Sequence, residues 1–323
     1  MSRDALFVHL DDGQWDALVS TSPQGSPFNR REFLDALGTC SVRFGVTEGT
    51  TVLAGVAVQV DDRNVPVGPS DTFGYYQGIL LSPHFASLPE HTRSRREFDA
   101  TEKLLAGLAT NHDDVWLGLH WRFRDLRPLQ WFNYHLPQAG QYQLALRYTG
   151  ILDLSPFASI DAYVDSLGKG RRGDYRKARQ GGTVVGASDN LDILDRLHRL
   201  TFSRQGADRG SFERQLKPMA RAALEHGFGE LLVAWTPAGD PVSASLFVWD
   251  KTTSHYLFGA SDPACRDTGA ATLVMVENFA RAMQRDIRHI DVVGINSPQR
   301  GNFKTSFNAV PVPYFDARWH RPD

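Results

Sequence analysis

Ser254-His-Tyr-Leu-Phe-Gly-Ala260, continued by Cys265-Arg266-Asp267-Thr268-Gly269-Ala270-Ala271, sets the architecture of this chain. A strand-like run releases the backbone into a turn of small residues. An amphipathic helix then opens near Thr268 and extends to Gln284, with Leu273, Val276, Ala280 and Met283 on one face. A further strand, His289–Val293, follows. The first N–H groups of such a helix lack intrahelical acceptors and lie at its positive end, which suits an anion. Arg266 adds a charged fork beside them. The alternative is an ordinary helix start with alanines packed beneath it.

Working outward, the same grammar occurs twice. In the first half, a helix at Arg30–Leu37 precedes strand-like runs at Val42–Thr47, Thr51–Val60 and Phe73–Leu81, a helix at Thr92–Thr110 with Phe98, Leu105 and Leu108 on one apolar stripe, and strands at Val115–Leu119 and Tyr142–Leu152. In the second, Leu231–Trp235, Val242–Trp249 and Ser254–Ala260 precede the long helix and its following strand. Two copies of one module predict an α+β fold, each copy a mixed sheet flanked by helices. The junction is expected at Asp153-Leu154-Ser155-Pro156, giving domains 1–153 and 154–323. A helical insertion over residues 160–226 opens the second, with helices at Ile160–Leu167, Arg171–Gln180, Leu191–Phe202 and Phe212–His226.

A chain of 323 residues with 41% hydrophobic and 22% charged residues reads as a soluble protein of two ordinary domains. It has no apolar run near the roughly 18–20 residues of a membrane span. Nor does a charged-then-apolar leader follow Met1, so the expected location is the cytoplasm, with no membrane partner. A formal charge of −2 gives no global attraction for nucleic acid, so DNA is not an expected partner and any RNA contact must be local. The two cysteines, Cys40 and Cys265, are too few for a structural zinc site, and each is read as a small buried hydrophobe. No metal and no permanently bound cofactor is expected.

The densest positive charge is Lys169-Gly-Arg171-Arg172-Gly-Asp-Tyr175-Arg176-Lys177-Ala-Arg179. Helical spacing puts Arg172, Arg176 and Arg179 on one side with Lys169 near, either a ridge for phosphates or a solvated helix face. Tyr175 could stack on a base or anchor the helix to the core. In the first half, Trp121, Arg122, Arg124, Arg127 and Trp131 interleave in one loop. They could clamp a nucleoside or sugar phosphate, or pack a domain junction.

Seven motifs occur in order. They are Ser26-Pro27-Phe28, Tyr75-Tyr76-Gln77-Gly78-Ile79, Asp125-Leu126-Arg127-Pro128-Leu129-Gln130-Trp131, Arg171-Arg172-Gly-Asp-Tyr-Arg-Lys-Ala, Phe258-Gly259-Ala260-Ser261, Ile290-Asp291-Val292-Val293-Gly294 and Phe303-Lys304-Thr305-Ser306-Phe307. With this order and spacing, the chain resembles the Fem-type peptidyltransferases and their tandem-GNAT relatives, including FemAB-like and BioF2-like acetyltransferase groups. Arg266-x-x-Gly269-x-Ala271 is similar to the GNAT pyrophosphate loop. The resemblance implies two tandem GNAT-like domains, the first holding the acceptor and the second receiving the acyl donor. It also implies transfer of an amino acid from aminoacyl-tRNA to an amine on a peptidoglycan precursor or, in antibiotic pathways, on a small peptide. Other relatives look like acyl-CoA users. This chain lacks the long charged heptad insertion of some cell-wall enzymes.

Amide formation from an ester or thioester passes through a tetrahedral oxyanion, which needs a fixed positive charge or N–H donors. Lys304 matches the lysine of the family's phenylalanine-lysine motif and is the candidate for that charge. Asp291 could orient the acceptor amine, accept a hydrogen bond from Asn296 or Ser297, or be structural. Arg266, Gly269, Ala271, Lys169, Arg172, Arg176 and Arg179 are the candidate donor or phosphate contacts. Tyr75, Tyr76, Trp121, Arg127 and Trp131 are the candidate acceptor contacts. No residue is an unambiguous base: His120, His255 and His289 show no paired carboxylate in sequence. The expected function is aminoacyl transfer from aminoacyl-tRNA, as co-substrate, to the free amine of a small peptide or peptide-like metabolite. The alternatives are an acyl-CoA-dependent N-acyltransferase and a catalytically silent peptide-binding protein.

Overall fold

The computed structural model describes residues 5–68, 75–205, 210 and 212–322. The chain divides into two compact units, 1–147 with 313–323 and 148–312. The division falls inside the strand that precedes the boundary expected at Asp153, and the last strand of the chain returns to the first unit.

In the first unit, β1 (Ala5–His9), β2 (Cys40–Glu48), β3 (Thr51–Val60) and β4 (Leu80–Leu81) form an antiparallel sheet in that order. Helix α1 (Asp12–Thr21) starts on an Asp11–Gln14 capping box, and α2 spans Arg31–Ala36. Gly49 takes φ 59° in the two-residue turn between β2 and β3, a conformation that favours glycine. Helix α3 (Glu90–Asn111) lays Ala100, Leu104, Leu105 and Leu108 on Val46, Val56 and Val58 of the sheet. Phe98, expected on that stripe, is only half-buried, and Leu104 takes its place. β5 (Asp114–Gly118) and α4 (Arg127–Trp131) follow. The strand expected at Phe73–Leu81 contracts to β4, since Tyr76 turns the backbone to φ 56°; Phe73 and Gly74 lie outside the described residues.

In the second unit the sheet order runs from β6 (Gln143–Asp153, whose last residues belong here) through β11 (His289–Asp291), β10 (Thr253–Ser261), β9 (Pro241–Trp249) and β8 (Gly229–Trp235) to β7 (Val184–Ser188). After α5 (Ile160–Ser166) and α6 (Lys169–Gln180) comes β7 (Val184–Ser188), a strand between the second and third of the four helices expected in this stretch, where no strand was expected. Gly182, at φ 72°, ends the helical path, and Val184 then pairs with Trp235 at the sheet edge. Next come α7 (Leu191–Gln205), α8 (Phe212–Glu225), β8 (Gly229–Trp235), β9 (Pro241–Trp249) and β10 (Thr253–Ser261). Helix α9 (Ala270–Gln284) crosses over to β11 (His289–Asp291), which lies parallel to β10. Helix α10 (Pro298–Thr305) and β12 (Val310–His320) complete the chain. The last residues of β12 pair with β5 in the first unit.

The one-faced reading of α9 understates its burial. Val274, Met275, Phe279 and Ala282 are buried together with Leu273 and Val276, because α5 and α6 cover the side turned away from the sheet. The cysteines are not buried: Cys40 is exposed and Cys265 half-buried.

Candidate functional site

The parallel pair β10 and β11 is short and then parts. Thr253, Ser254 and His255 face His289, Ile290 and Asp291, where β11 ends, whereas β10 continues to Ser261 paired on its other side with β9. A bulge at Leu257 tightens the twist at this point. From Tyr256 onward, the β11-facing edge of β10 has no strand partner among the described residues. Such an edge offers main-chain donors and acceptors to an extended amide-bearing ligand.

β11 ends where the Asp291 carboxylate accepts the Val293 N–H at 2.9 Å, and the chain turns through Val293 (φ 31°) and Gly294 (φ 53°). Lys304, on α10, donates to the Val293 carbonyl at 2.5 Å and lies 3.5 Å from that of Gly294. Its ammonium sits 5.2 Å from the centroid of the Tyr256 ring, on β10. The two residues proposed from sequence as catalytic thus grip the same residue, Val293, one through its N–H and the other through its C=O. The Tyr256 hydroxyl lies where a Cβ on Gly259 would be, so glycine there is required by space. Burial, opposed by a hydrogen bond from Ser245, pushes that phenol up to about 12.

Behind this turn stands a charged group that the sequence did not disclose. His255 has no exposed side-chain surface, and its Nε2 is 3.3 Å from Asp250 and its Nδ1 3.5 Å from Asp291. Burial alone would lower its pKa, but the two carboxylates outweigh it and raise it to about 9, so the imidazole is cationic at neutral pH. Asp250 also accepts from the backbone of Thr252 and Thr253. Burial pushes its carboxyl up, but the His255 hydrogen bond and charge, with the Thr252 donors, hold it below the ordinary value. Asp291 takes its hydrogen bonds from the Thr149 hydroxyl and Val293 rather than from Asn296, which is bonded on both sides to the Tyr148 backbone. Parallel register brings Asp291 opposite His255, and no local spacing signals such a pairing.

Gly269 does permit close backbone approach, at φ 79°, but the backbone is the chain's own. A Cβ there would run into the Asp174 carbonyl of α6. Gly269 and Ala270 are buried, Ala271 is half-buried and Arg266 exposed, so the open phosphate cradle expected from these residues is covered by α6. Arg171 ties that helix down. Its guanidinium reaches Ser306 at 2.6 Å, Asp174 at 2.7 Å and Thr272 at 3.0 Å, and lies 4.6 Å from the Phe303 ring centroid. Tyr175 packs against the same core and serves as an anchor. At 100° per residue, Lys169, Arg172, Arg176 and Arg179 fall within an arc of about 80° turned away from that core. Lys169, Arg176 and Arg179 are exposed and Arg172 half-buried. Added Cβ atoms on Gly170 and Gly173 of this helix would meet only open space.

The candidate acceptor residues of the first unit separate into two groups. Tyr76 is 1% exposed, 4.7 Å from His120 and 5.9 Å from Phe28. Its carbonyl accepts from Asn29, whose own side chain accepts from Ser26, so the Ser26-Pro27-Phe28 and Tyr75-Tyr76 motifs build one cluster. Tyr75 is half-buried there, and half-buried Trp121 stacks on His120 at 5.2 Å. Arg127 is held by Asp125 at 2.6 Å and by Ser94, and Trp131, 50% exposed, stacks on Tyr134. Neither joins the tyrosine cluster. No helix among the described residues is long and apolar enough to cross a membrane.

Residues 168–305 match the family model for an acetyltransferase (GNAT) domain. A search of curated proteins finds no match. Among solved structures, the chain is similar to FemX, with a TM-score of 0.69 at 14% identity over 96% of each chain. A tandem GNAT protein from the clavulanic acid biosynthesis pathway matches with a TM-score of 0.52 at 13% identity over 99% of each chain. L-PGS from Bacillus licheniformis matches with a TM-score of 0.51 at 13% identity, over 98% of this chain and 93% of its own. The fold is therefore that of the tandem GNAT proteins, and the GNAT domain marks the chain as an acyltransferase.

Proposed function

Starting from an acyltransferase with a tandem-GNAT fold, we propose that this chain forms an amide by moving an aminoacyl group from aminoacyl-tRNA to the free amine of a small peptide or peptide-like metabolite. The acceptor nitrogen attacks the ester carbonyl and a tetrahedral oxyanion forms. Its collapse breaks the bond to the ribose oxygen, which leaves with a proton that the amine gives up through water or substrate. In this reading Lys304 supplies the fixed positive charge for the oxyanion, at the edge where β10 and β11 part. Asp291 holds the turn that carries the Lys304 acceptors. His255, already protonated at neutral pH, is not the base.

The observation that carries the choice of donor is the position of α6. Its Asp174 carbonyl occupies the approach to Gly269 that a CoA pyrophosphate would need, while it turns Lys169, Arg172, Arg176 and Arg179 outward, toward where a phosphodiester backbone could lie. The test supplies purified protein with radiolabelled aminoacyl-tRNA or acetyl-CoA and a panel of amines, with and without ribonuclease. Ribonuclease-sensitive transfer is the expected result. Release of CoA with ribonuclease-insensitive transfer would replace this reading by acyl-CoA-dependent N-acylation.

A further inference from the structure

The proposed reaction leaves one buried charge without a task. His255 is fully enclosed, on the strand that carries Tyr256, and its ring lies between Asp250 from the turn before β10 and Asp291 from β11. Asp291 is equally enclosed and accepts from the Thr149 hydroxyl of β6 and the Val293 N–H. Val293 is β-branched and held at φ 31°, a conformation that its surroundings must impose. Its carbonyl is the nearer of the two that Lys304 grips. One unbroken series of contacts therefore links His255, Asp291, Val293 and Lys304. Removing the imidazolium would leave the Asp291 carboxylate buried without its counter-charge. It would then take up a proton or turn away, and either change weakens its hold on Val293. The turn would relax, and the carbonyls that aim the ammonium would move with it.

We propose that His255 is a positioning residue: clamped between Asp250 and Asp291, it fixes the Val293–Gly294 turn and through it the place of the Lys304 ammonium at the open edge of β10. This rests on Lys304 acting as the oxyanion-stabilising group. A displacement of about 1 Å at such a group costs on the order of 10²-fold in rate, without weakening substrate binding.

The test is a double-mutant cycle with His255→Gln and Lys304→Met, measuring kcat and both KM values for aminoacyl-tRNA and an accepted amine. His255→Gln alone should lower kcat about 10²-fold with KM nearly unchanged. In the Lys304→Met background, it should cost less than about twofold more, because a group that acts through Lys304 has nothing left to position. Equal losses in both backgrounds, or a rise in KM at constant kcat, would overturn the proposal while leaving Lys304 in its role. Full activity of Lys304→Met would instead remove the reading on which it rests. Should His255→Gln fail to fold, Thr149→Val deletes only the hydroxyl bonded to Asp291 and should give the same kcat-only, non-additive loss. As a further readout, the alkaline limb of kcat should lie near pH 9 and move to lower pH in Asp250→Asn, where one of the two carboxylates is neutralised. An unmoved limb would count against the proposal.

Discussion

Gly269→Ala separates the two uses that glycine could have at this turn. The residue sits at φ 79°, where an L side chain costs roughly 1–2 kcal/mol. Its Cβ would also overlap the Asp174 carbonyl, a backbone atom in the middle of α6 that Arg171 pins to Thr272 and Ser306. Forced overpacking of this kind adds about 1–3 kcal/mol. The sum, about 2–5 kcal/mol, is a large part of the roughly 5–15 kcal/mol that stabilises a domain. For a unit of this size, each kcal/mol lowers Tm by about 2–4 °C, so calorimetry should show the transition of the second unit falling by roughly 4–20 °C. Gly170→Ala is the matched control. It lies on the same helix in open space, and the better helix propensity of alanine should stabilise by about 0.5–1 kcal/mol. If Gly269→Ala instead left Tm within error of the parent and only weakened donor binding, the seating of α6 on this glycine would be refuted. The turn would then be a donor contact.

Lys304→Met should lower kcat by about 10²–10³-fold with far-ultraviolet circular dichroism unchanged, as loss of one oxyanion donor does. His255 gives stability a pH signature. Its folded pKa, raised to about 9 from the ordinary 6.5, means that its contribution is complete below about pH 6.5 and is lost as pH rises through 9. Urea titrations at pH 6.5 and pH 10 should differ by about 3 kcal/mol from this group, at 1.36 kcal/mol per pKa unit, and His255→Gln should flatten that difference. If the α6 arc holds phosphates, log K for uncharged tRNA should fall with log salt at a slope near −3 for about four contacts. Each Arg→Gln among Arg172, Arg176 and Arg179 should then shallow the slope by about one in a filter-binding or anisotropy series.

The strands of the β8–β9–β10 meander, the long helix after Thr268 and the basic helix near Arg171 were legible because each is a local pattern of period 2 or 3.6. Residues 160–226 misled for the same reason: Val184 and Val185 form too short a run to stand out among four helices, and only their pairing with Trp235 and Ala234 makes them a strand. Phe98 and Leu104 exchanged places because both fit an apolar stripe and only the sheet beneath selects between them. At the candidate site, Lys304 was singled out by a motif, but its acceptors, the carbonyls of Val293 and Gly294, depend on positive φ angles that sequence does not announce for a valine.

The residues alone determined the kind of chemistry this protein can support. The order of its strands and helices, one lysine in a characteristic pair and an arc of cations at helical spacing follow from covalent neighbours and their periodicities. Only the tertiary structure decided which of these groups act together. It set His255 between two carboxylates supplied from five and thirty-six residues away, and laid α6 over the glycine that an anion was expected to approach. Those outcomes depend on strand register and on which surface covers a helix end. Both are settled by long-range packing, where a charge or a glycine has no local signature of its partner.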